Sequence, residues 1–402
     1  MFDFGINLQK SNILVILMRM SHQRKRAIIS LIEKRLKLFP VVGLLGARQT
    51  GKSTALRDQL AQIRKLKYIT LDRDESRTQA TEQPTLFIQN AESSSIKTVC
   101  IDEIQKAPRL FDTLKAEVDE KKRPGRFMIS GSTEFSKKTG IHESLTGRIA
   151  LLHLFPLNLQ EIHLKKNGFT LREVKLWSER GGMPGIFAIR DESARHALID
   201  QWIETTCTRD LANFKIGRFN PDLARRILFE VAVNETPTRL EIARALGKTP
   251  RQIEGYLQAL KALFILYEIE PHPTSVGKPL FYLFDSGIAQ NMGASSQRCL
   301  QVWFLNQCYS SYSYAGKIKP DIFHYETTRG SKVDFIVKTK DTSRAYKIFE
   351  KEALTTYDLR GLTALRQKHE SISIFALASC LNSHKIARDS HIIPWGDLMF
   401  ES

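Results

Sequence analysis

Pro40-Val-Val-Gly-Leu-Leu-Gly-Ala-Arg-Gln-Thr-Gly-Lys-Ser-Thr54 is the stretch from which the rest of the chain can be read. Its apolar run, Val41 to Leu45, has the character of a buried strand. A glycine-bounded loop, Gly46 to Gly51, follows, and then Lys52, Ser53 and a helix-like segment from Thr54 to Ile63. This is the context that a G-x-x-x-x-G-K-[ST] phosphate-binding loop requires. Gly46 and Gly51 allow a tight turn in which successive backbone N–H groups converge on phosphate oxygens. The helix that follows presents its N-terminal amides and positive dipole end to the same anion. The spacing therefore nominates Gly46, Ala47, Arg48, Gln49, Thr50, Gly51, Lys52, Ser53 and Thr54 as a nucleoside-triphosphate cradle, with ATP as the ligand. Lys52 would meet the β- and γ-phosphates, and the Ser53 hydroxyl would ligate Mg2+.

Fifty positions beyond Lys52, Lys97-Thr-Val-Cys-Ile-Asp-Glu-Ile-Gln105 reads as a buried strand ending in two acids. Asp102 is placed to hold Mg2+ through water. Glu103 is placed to orient or deprotonate an attacking water. The next strand, Arg126 to Ile129, runs into Ser130-Gly131-Ser132-Thr133. Those hydroxyls read either as γ-phosphate sensors or as an ordinary helix N-cap. Arg148, just before the apolar run Ile149 to Leu157, reads either as an arginine that stabilises transition-state charge, in cis or from a neighbouring subunit, or as a solvated residue at a strand start. Strands alternate with helices from Val41 to Leu157, which argues for a parallel sheet covered on both faces. All these polar groups except Arg148 fall at carboxyl ends of strands, where ligands of such sheets bind.

Sixty Lys and Arg residues against 43 Asp and Glu give a formal charge of +17, which favours an anionic partner, double-stranded DNA among them. The cysteines are odd in number, scattered and without a C-x-x-C pair, so neither a metal finger nor a disulfide framework is expected and a reducing cytoplasm fits. Ile13 to Met18 is apolar but too short to cross a bilayer, and no membrane segment is expected.

Taken together, the motifs resemble a family of prokaryotic AAA-plus ATPases with a C-terminal domain of unknown function. The residues that carry the likeness are Gly-Ala-Arg-Gln-Thr-Gly-Lys-Ser (46 to 53), Ile-Asp-Glu-Ile-Gln (101 to 105) and Ile-Ser-Gly-Ser (129 to 132). Leu-Thr-Gly-Arg (145 to 148), Pro-Leu-Asn-Leu-Gln-Glu (156 to 161) and Gly-Gly-Met-Pro (181 to 184) complete the set. The resemblance implies Lys52 and Ser53 as Walker A residues and Asp102 and Glu103 as the Walker B pair. It places the polar sensor at Ser130 or Ser132, makes Arg148 the arginine-finger candidate and admits a homo-oligomer.

In the second half, Thr238 to Gly247 and Pro250 to Leu263 read as two helices about a glycine turn, with Thr249 as N-cap and Pro250 in the first turn. Two strands follow, Phe264 to Ile269 and Pro279 to Phe284, a pattern that describes a winged helix-turn-helix. Lys248, Arg251 and Gln252 are its candidate DNA contacts, and packing against protein is the other use of such a module. For the last hundred residues the resemblance implies a restriction-endonuclease-like region, with an acid in one strand and Glu-x-Lys in the next. Asp334 fits the first position. Aligning Lys351 with the motif lysine puts Phe349 where the carboxylate belongs, so an inactive nuclease-like domain is expected.

The expected organisation is an α/β chain. It comprises an N-terminal tail (1–22), a P-loop NTPase three-layer domain (23–165), a helical linker (166–220), the winged helix (221–285) and a small α/β domain (286–402). The expected function is magnesium-dependent ATP hydrolysis driving a conformational switch, with DNA as a candidate partner. A DNA-binding or scaffolding protein without useful turnover and an ATP-gated nuclease are the alternatives.

Overall fold

The computed structural model describes residues 24–133, 145–162, 171–380, 383–387 and 390–395. The expected tail at 1–22 and the expected boundary at 165 lie outside them. The chain divides into two compact units, the first reaching Leu164 and taking in Met183–Arg195, the second made of Lys165–Gly182 and His196–Ser402.

The first unit is built on a five-stranded parallel sheet of β1 (Val41–Leu45), β2 (Leu66–Thr70), β3 (Thr98–Asp102), β4 (Phe127–Gly131) and β5 (Ile149–His153). Its spatial order is β2-β3-β4-β1-β5. Every residue of β1, β3 and β4 is buried, whereas the edge strands β2 and β5 are largely half-buried. Helices on both faces bury a central parallel strand from two sides, hence the unbroken apolar runs. The flanking helices use single stripes: Ile28, Leu31, Ile32 and Leu36 in Ile28–Leu36, and Leu110, Phe111, Leu114 and Val118 in Leu110–Glu120. Each such side chain contributes about 1.5–3 kcal/mol when fully buried.

Strand order positions the site. The glycine-rich loop leaves the carboxyl end of β1, and the Asp102-Glu103 pair leaves that of β3. β4 alone separates them, so the strand axes stand about 10 Å apart. The loop passes close to the chain after β5: a Cβ on Gly46 would collide with the Leu154 carbonyl oxygen. Gly51 adopts φ +92°, a left-handed conformation that glycine accepts without a steric penalty.

The second unit runs as one structure across the expected boundary at 285. Helices Pro221–Val233, Arg239–Ala245 and Pro250–Ala262 precede an antiparallel hairpin of β6 (Leu266–Pro271) and β7 (Leu280–Leu283). The Thr249 hydroxyl and the Gln252 side chain form a capping box, with Pro250 in the first turn. β6 also pairs in parallel with β8 (Asp321–Glu326), through Glu270–Phe323. The hairpin thereby extends a sheet that continues through β9 (Lys332–Lys338), β10 (Ser343–Ile348), β11 (Ser373–Ala378), β12 (His384–Ala387) and β13 (Ser390–Pro394). Shared backbone hydrogen bonding, invisible to a reading of local pattern, joins what the sequence reading divides. Trp202 is buried within this unit, as is Trp177. Among the described residues no helix is long and apolar enough to cross a membrane.

Candidate nucleotide site

Lys52 is 5% exposed, and its ammonium donates to the carbonyl oxygens of Gly46 (2.9 Å) and Ala47 (3.0 Å). Burial lowers its pKa, opposed by the charges of Glu103 and Asp102. The Thr50 hydroxyl donates to the Ala47 carbonyl at 2.8 Å, closing the loop on itself. Gln49, at the loop's outer turn, takes φ +63°.

The acids meet these groups from β3. Ser53 Oγ donates to Asp102 Oδ2 at 2.6 Å across the 49 residues that separate them. The Tyr68 hydroxyl, from β2, donates to the same oxygen, and Ser130 Oγ donates to Oδ1. Tyr68 stands in register with Cys100, two residues before Asp102, so its ring reaches along the strand to a diagonal neighbour. Ser53 and Asp102 are hard oxygen donors held together at the phosphate end of the loop, a donor set that fits Mg2+.

Glu103 lies immediately past the strand, in the left-handed region at φ +59° and ψ +43°. For a residue with a Cβ that conformation costs roughly 1–2 kcal/mol, and such outliers concentrate at functional sites. Its carboxylate accepts from the Gln105 amide and from Ser132 Oγ, the latter at 3.2 Å. Burial raises its pKa, with Lys52 pulling it down and Asp102 pushing it further up. The two candidate sensors therefore separate: Ser130 serves Asp102, and Ser132 serves Glu103.

Arg148 does not join them. It precedes β5, at the amino end of the sheet, where its backbone carbonyl accepts from Val41 N at 3.2 Å. One strand of five residues, about 17 Å, separates that end from the loop. Its guanidinium forks onto Asp119 at 2.6 and 3.0 Å. Of the two readings of Arg148, the one at a strand start describes its place within its own chain: a short Gly-Arg turn before β5, away from the carboxyl edge.

The sequence reading missed Tyr68, Gln105 and Arg26. Arg26 reads locally as part of a basic run, yet it is 5% exposed and paired with Glu161 at 2.9 Å, both side chains being almost wholly buried. It also donates to the carbonyls of Thr50 (2.5 Å) and Phe155 (2.6 Å), bracing the loop from behind. Glu161 closes the Pro-Leu-Asn-Leu-Gln-Glu motif, and an acid in an otherwise apolar segment was the available signal.

In the second unit the resemblance-based register is also corrected. The lysine beside Asp334 is Lys347, at 2.9 Å, whereas Lys351 lies past the end of β10 and pairs with Asp358 at 2.7 Å. Asp334 further accepts from Ile348 N at 2.8 Å and from the Gln301 amide at 3.1 Å. Two residues before Lys347 stands Ala345, fully buried and without a carboxylate. Among the described residues no cluster of three or more His, Cys, Asp or Glu is arranged to hold a metal. The candidate DNA contacts Lys248, Arg251 and Gln252 are all exposed, and the Gln252 amide oxygen accepts from Thr249 N at 2.8 Å.

Comparison with known sequences meets the same residues. Residues 38–163 match a family model described as an AAA domain. The first unit carries an AAA-type P-loop domain. Residues 171–298, beyond the AAA domain, match a domain of unknown function, DUF8612. An uncharacterized protein of Mycobacterium tuberculosis (strain H37Rv) is 29% identical over 269 residues, which is 65% of this chain and 58% of that protein. An uncharacterized protein of Mycobacterium bovis gives the same figures. The match thus spans less than two thirds of these curated relatives' length. Among solved structures, the Walker-type ATPase PABY2304 of Pyrococcus abyssi overlaps with a TM-score of 0.44 at 16% identity, covering 67% of this chain and 95% of its own.

Proposed function

We propose that the protein is an ATP-hydrolysing molecular switch whose AAA domain turns over ATP with magnesium. The observation that carries this reading is the Ser53–Asp102 hydrogen bond, made beside buried Lys52 and next to Glu103. It joins two motifs on strands that are not neighbours, at the edge of the sheet where a triphosphate would lie. In this reading Lys52 transfers its hydrogen bonds from the Gly46 and Ala47 carbonyls to phosphate oxygens. Ser53 and Asp102 would hold Mg2+, which supplies charge neutralisation at the β- and γ-phosphates. Ionised Glu103 accepts the proton of the attacking water.

DNA is the partner class we assign to the second unit. Exposed Lys248 and Arg251 stand at a helix N-terminus, where basic side chains can meet phosphates. The test is an ATPase assay on the purified protein with and without double-stranded DNA, alongside Lys52→Ala and Glu103→Gln. Magnesium-dependent turnover lost in both variants is the expected result. A wild-type protein that binds no nucleotide would sink the reading, and turnover with no mobility shift at low salt would remove the DNA assignment.

A further inference from the structure

The edge of the five-stranded sheet opposite the nucleotide site carries a charge pattern that the roles above leave unused. β1 to β4 begin level with one another to within one residue: Leu66 pairs with Thr98, Val99 with Phe127 and Val41 with Phe127. Each start is preceded by lysine. Lys65 and Lys97 stand immediately before β2 and β3, and Lys121 and Lys122 follow the helix that leads to β4. Lys37 is the C-cap of the helix that leads to β1. Backbone contacts hold these turns side by side. Lys97 N donates to Lys65 O at 2.9 Å, and Gly125 N donates to Phe39 O at 2.8 Å. The Arg123 guanidinium donates to Lys97 O at 2.8 Å and so bridges the turns before β3 and β4. Four neighbouring strands about 4.8 Å apart make this row roughly 15 Å long.

The arginines and lysines of this edge do different things. Arg64 pairs with Glu33, Arg126 with Glu92 and Glu117, and Arg148 with Asp119, so the arginines take up the acids. Lys37, Lys65, Lys97, Lys121 and Lys122 are all exposed, and none forms an ion pair among the described residues. Exposed Glu120, beside Lys121, offsets one of these charges. A face that only needs solvation interleaves both signs, whereas a surplus of one sign draws in polyanions. Lysine ammonium groups on long flexible stems meet phosphates as point charges and read no base edges. Leu38 and Ile63 are exposed nearby, at 66% and 57%. Two single aliphatic side chains do not make the apolar face by which a helix enters a bilayer.

We propose that this lysine row is a docking surface for the phosphate backbone of duplex DNA, engaged without regard to sequence. The proposal goes beyond the second-unit assignment and does not rest on Lys248 or Arg251. Phosphates recur every ~3.4 Å of helix axis along each strand, so the row spans about four of them. It lies at the amino ends of the strands, and the five residues of β1, about 17 Å, separate it from the phosphate loop. A bound duplex therefore leaves the triphosphate cradle open, and ATP and DNA do not compete for the same groups. Each lysine that meets a phosphate releases condensed counterions, which makes the contact count readable from the salt dependence.

The experiment is fluorescence anisotropy of a labelled mixed-sequence duplex titrated with the intact chain across about 50–200 mM salt, with Tm and ATP affinity measured in parallel. The test variant combines Lys65→Ala, Lys97→Ala and Lys121→Ala. Its control removes the same charge from exposed lysines of the second unit, by Lys338→Ala, Lys340→Ala and Lys368→Ala together. The test variant is expected to lower the magnitude of the slope of log affinity against log salt by about 2–3 and to weaken binding roughly tenfold or more at the lowest salt. Its Tm and ATP affinity should stay at the wild-type values. The control should change the slope by less than about 1. A test variant whose slope stays within about 1 of wild type would overturn the proposal. A control that loses as much would also overturn it, by showing net charge alone at work. Vesicles of phosphatidylcholine and phosphatidylserine bound through the same lysines, with duplex binding unaffected in the variant, would give the face to a membrane and overturn it. A slope lowered by Lys248→Ala with Arg251→Ala and not by the test variant would overturn this surface alone. The reverse result would support it and overturn the second-unit assignment alone.

Discussion

Two buried aspartates, Asp102 in the AAA domain and Asp334 in the second unit, look alike in the sequence and differ in what surrounds them. Each ends or sits within an apolar strand, and each has a lysine in its neighbourhood. Asp102 accepts from the hydroxyls of Ser53, Tyr68 and Ser130, groups that rotate at little cost and keep lone pairs of their own, and from the Glu103 backbone N–H at 3.1 Å. Asp334 is closed by the Lys347 ammonium, a backbone N–H and the Gln301 amide. Lys52, meanwhile, directs its hydrogen bonds to loop carbonyls and not to Asp102. Both aspartates accept one backbone N–H, so the difference lies in the other partners: a carboxylate met by hydroxyls keeps its charge for a cation, and one paired with a lysine ammonium is already neutralised. The lesson is that the partners of an acid, more than its burial, separate a candidate cation site from a structural ion pair.

That contrast can be broken by experiment. The largest effect is expected at Glu103: Glu103→Gln should retain ATP binding and lower hydrolysis by roughly 10²–10⁴-fold in a phosphate-release assay. Wild-type turnover in that variant would remove the base and, with it, the functional half of the contrast. Lys52→Ala should weaken ATP by about ten- to a hundredfold, from the loss of charge-assisted bonds of roughly 1.5–3 kcal/mol, measured by calorimetric titration.

The two aspartates should then part in stability. Asp334→Ala strips Lys347 and two further donors of their acceptor, so urea unfolding should show a loss of about 2–3 kcal/mol, below the fully buried case because Lys347 is 22% exposed. Asp102→Asn should change stability by less than about 1 kcal/mol while raising the magnesium needed for turnover. Equal destabilisation by both would collapse the distinction.

A pH profile sharpens the same point. Burial holds the Glu103 carboxyl above the ordinary carboxylate range, and only its ionised form accepts a proton. As pH falls, activity should therefore fail at a higher pH than an ordinary glutamate would give. The contribution of Glu103 to stability should move the other way over that span, because the folded chain takes up this proton before the unfolded chain does. Rate and urea-unfolding profiles that fall together would show that acid unfolding, and not the base, sets the limb. The smallest effect concerns DNA: Lys248→Ala with Arg251→Ala should lower the magnitude of the slope of log affinity against log salt by roughly 2.

Legibility followed chemistry that is local in the chain. That Lys52, Ser53, Asp102 and Glu103 gather at the carboxyl ends of β1 and β3 was readable because each motif carries its own strand before it and its own turn after it. Ser130 and Ser132 were readable as a pair but not in their roles, since which acid each serves depends on a strand neighbour. Gln105 was in plain view two residues past Glu103, yet only the left-handed turn brings its amide onto the Glu103 carboxylate. Arg148 was readable as lying before a strand, but only the structure shows the partner it takes there, Asp119. Lys351 misled because where β10 stops decides which lysine faces Asp334, and a shift of four residues changes the whole constellation.

The sequence by itself determined the glycine-bounded loop after β1, the acid pair at the end of β3 and the alternation of strands and helices. Those properties rest on short-range forces: glycine's backbone freedom, apolar periodicity and capping. The tertiary structure decided that β4 lies between the loop strand and the acid strand, that Arg26 and Glu161 brace the loop, and that the hairpin at β6 and β7 belongs to an eight-stranded sheet. These are pairings between segments far apart in the chain, selected by the burial of whole faces and the hydrogen bonding of whole edges. No local stretch encodes such a choice alone. The loop that opened the reading gained its meaning from them: Ser53 finds Asp102 only because the strands are laid in that order.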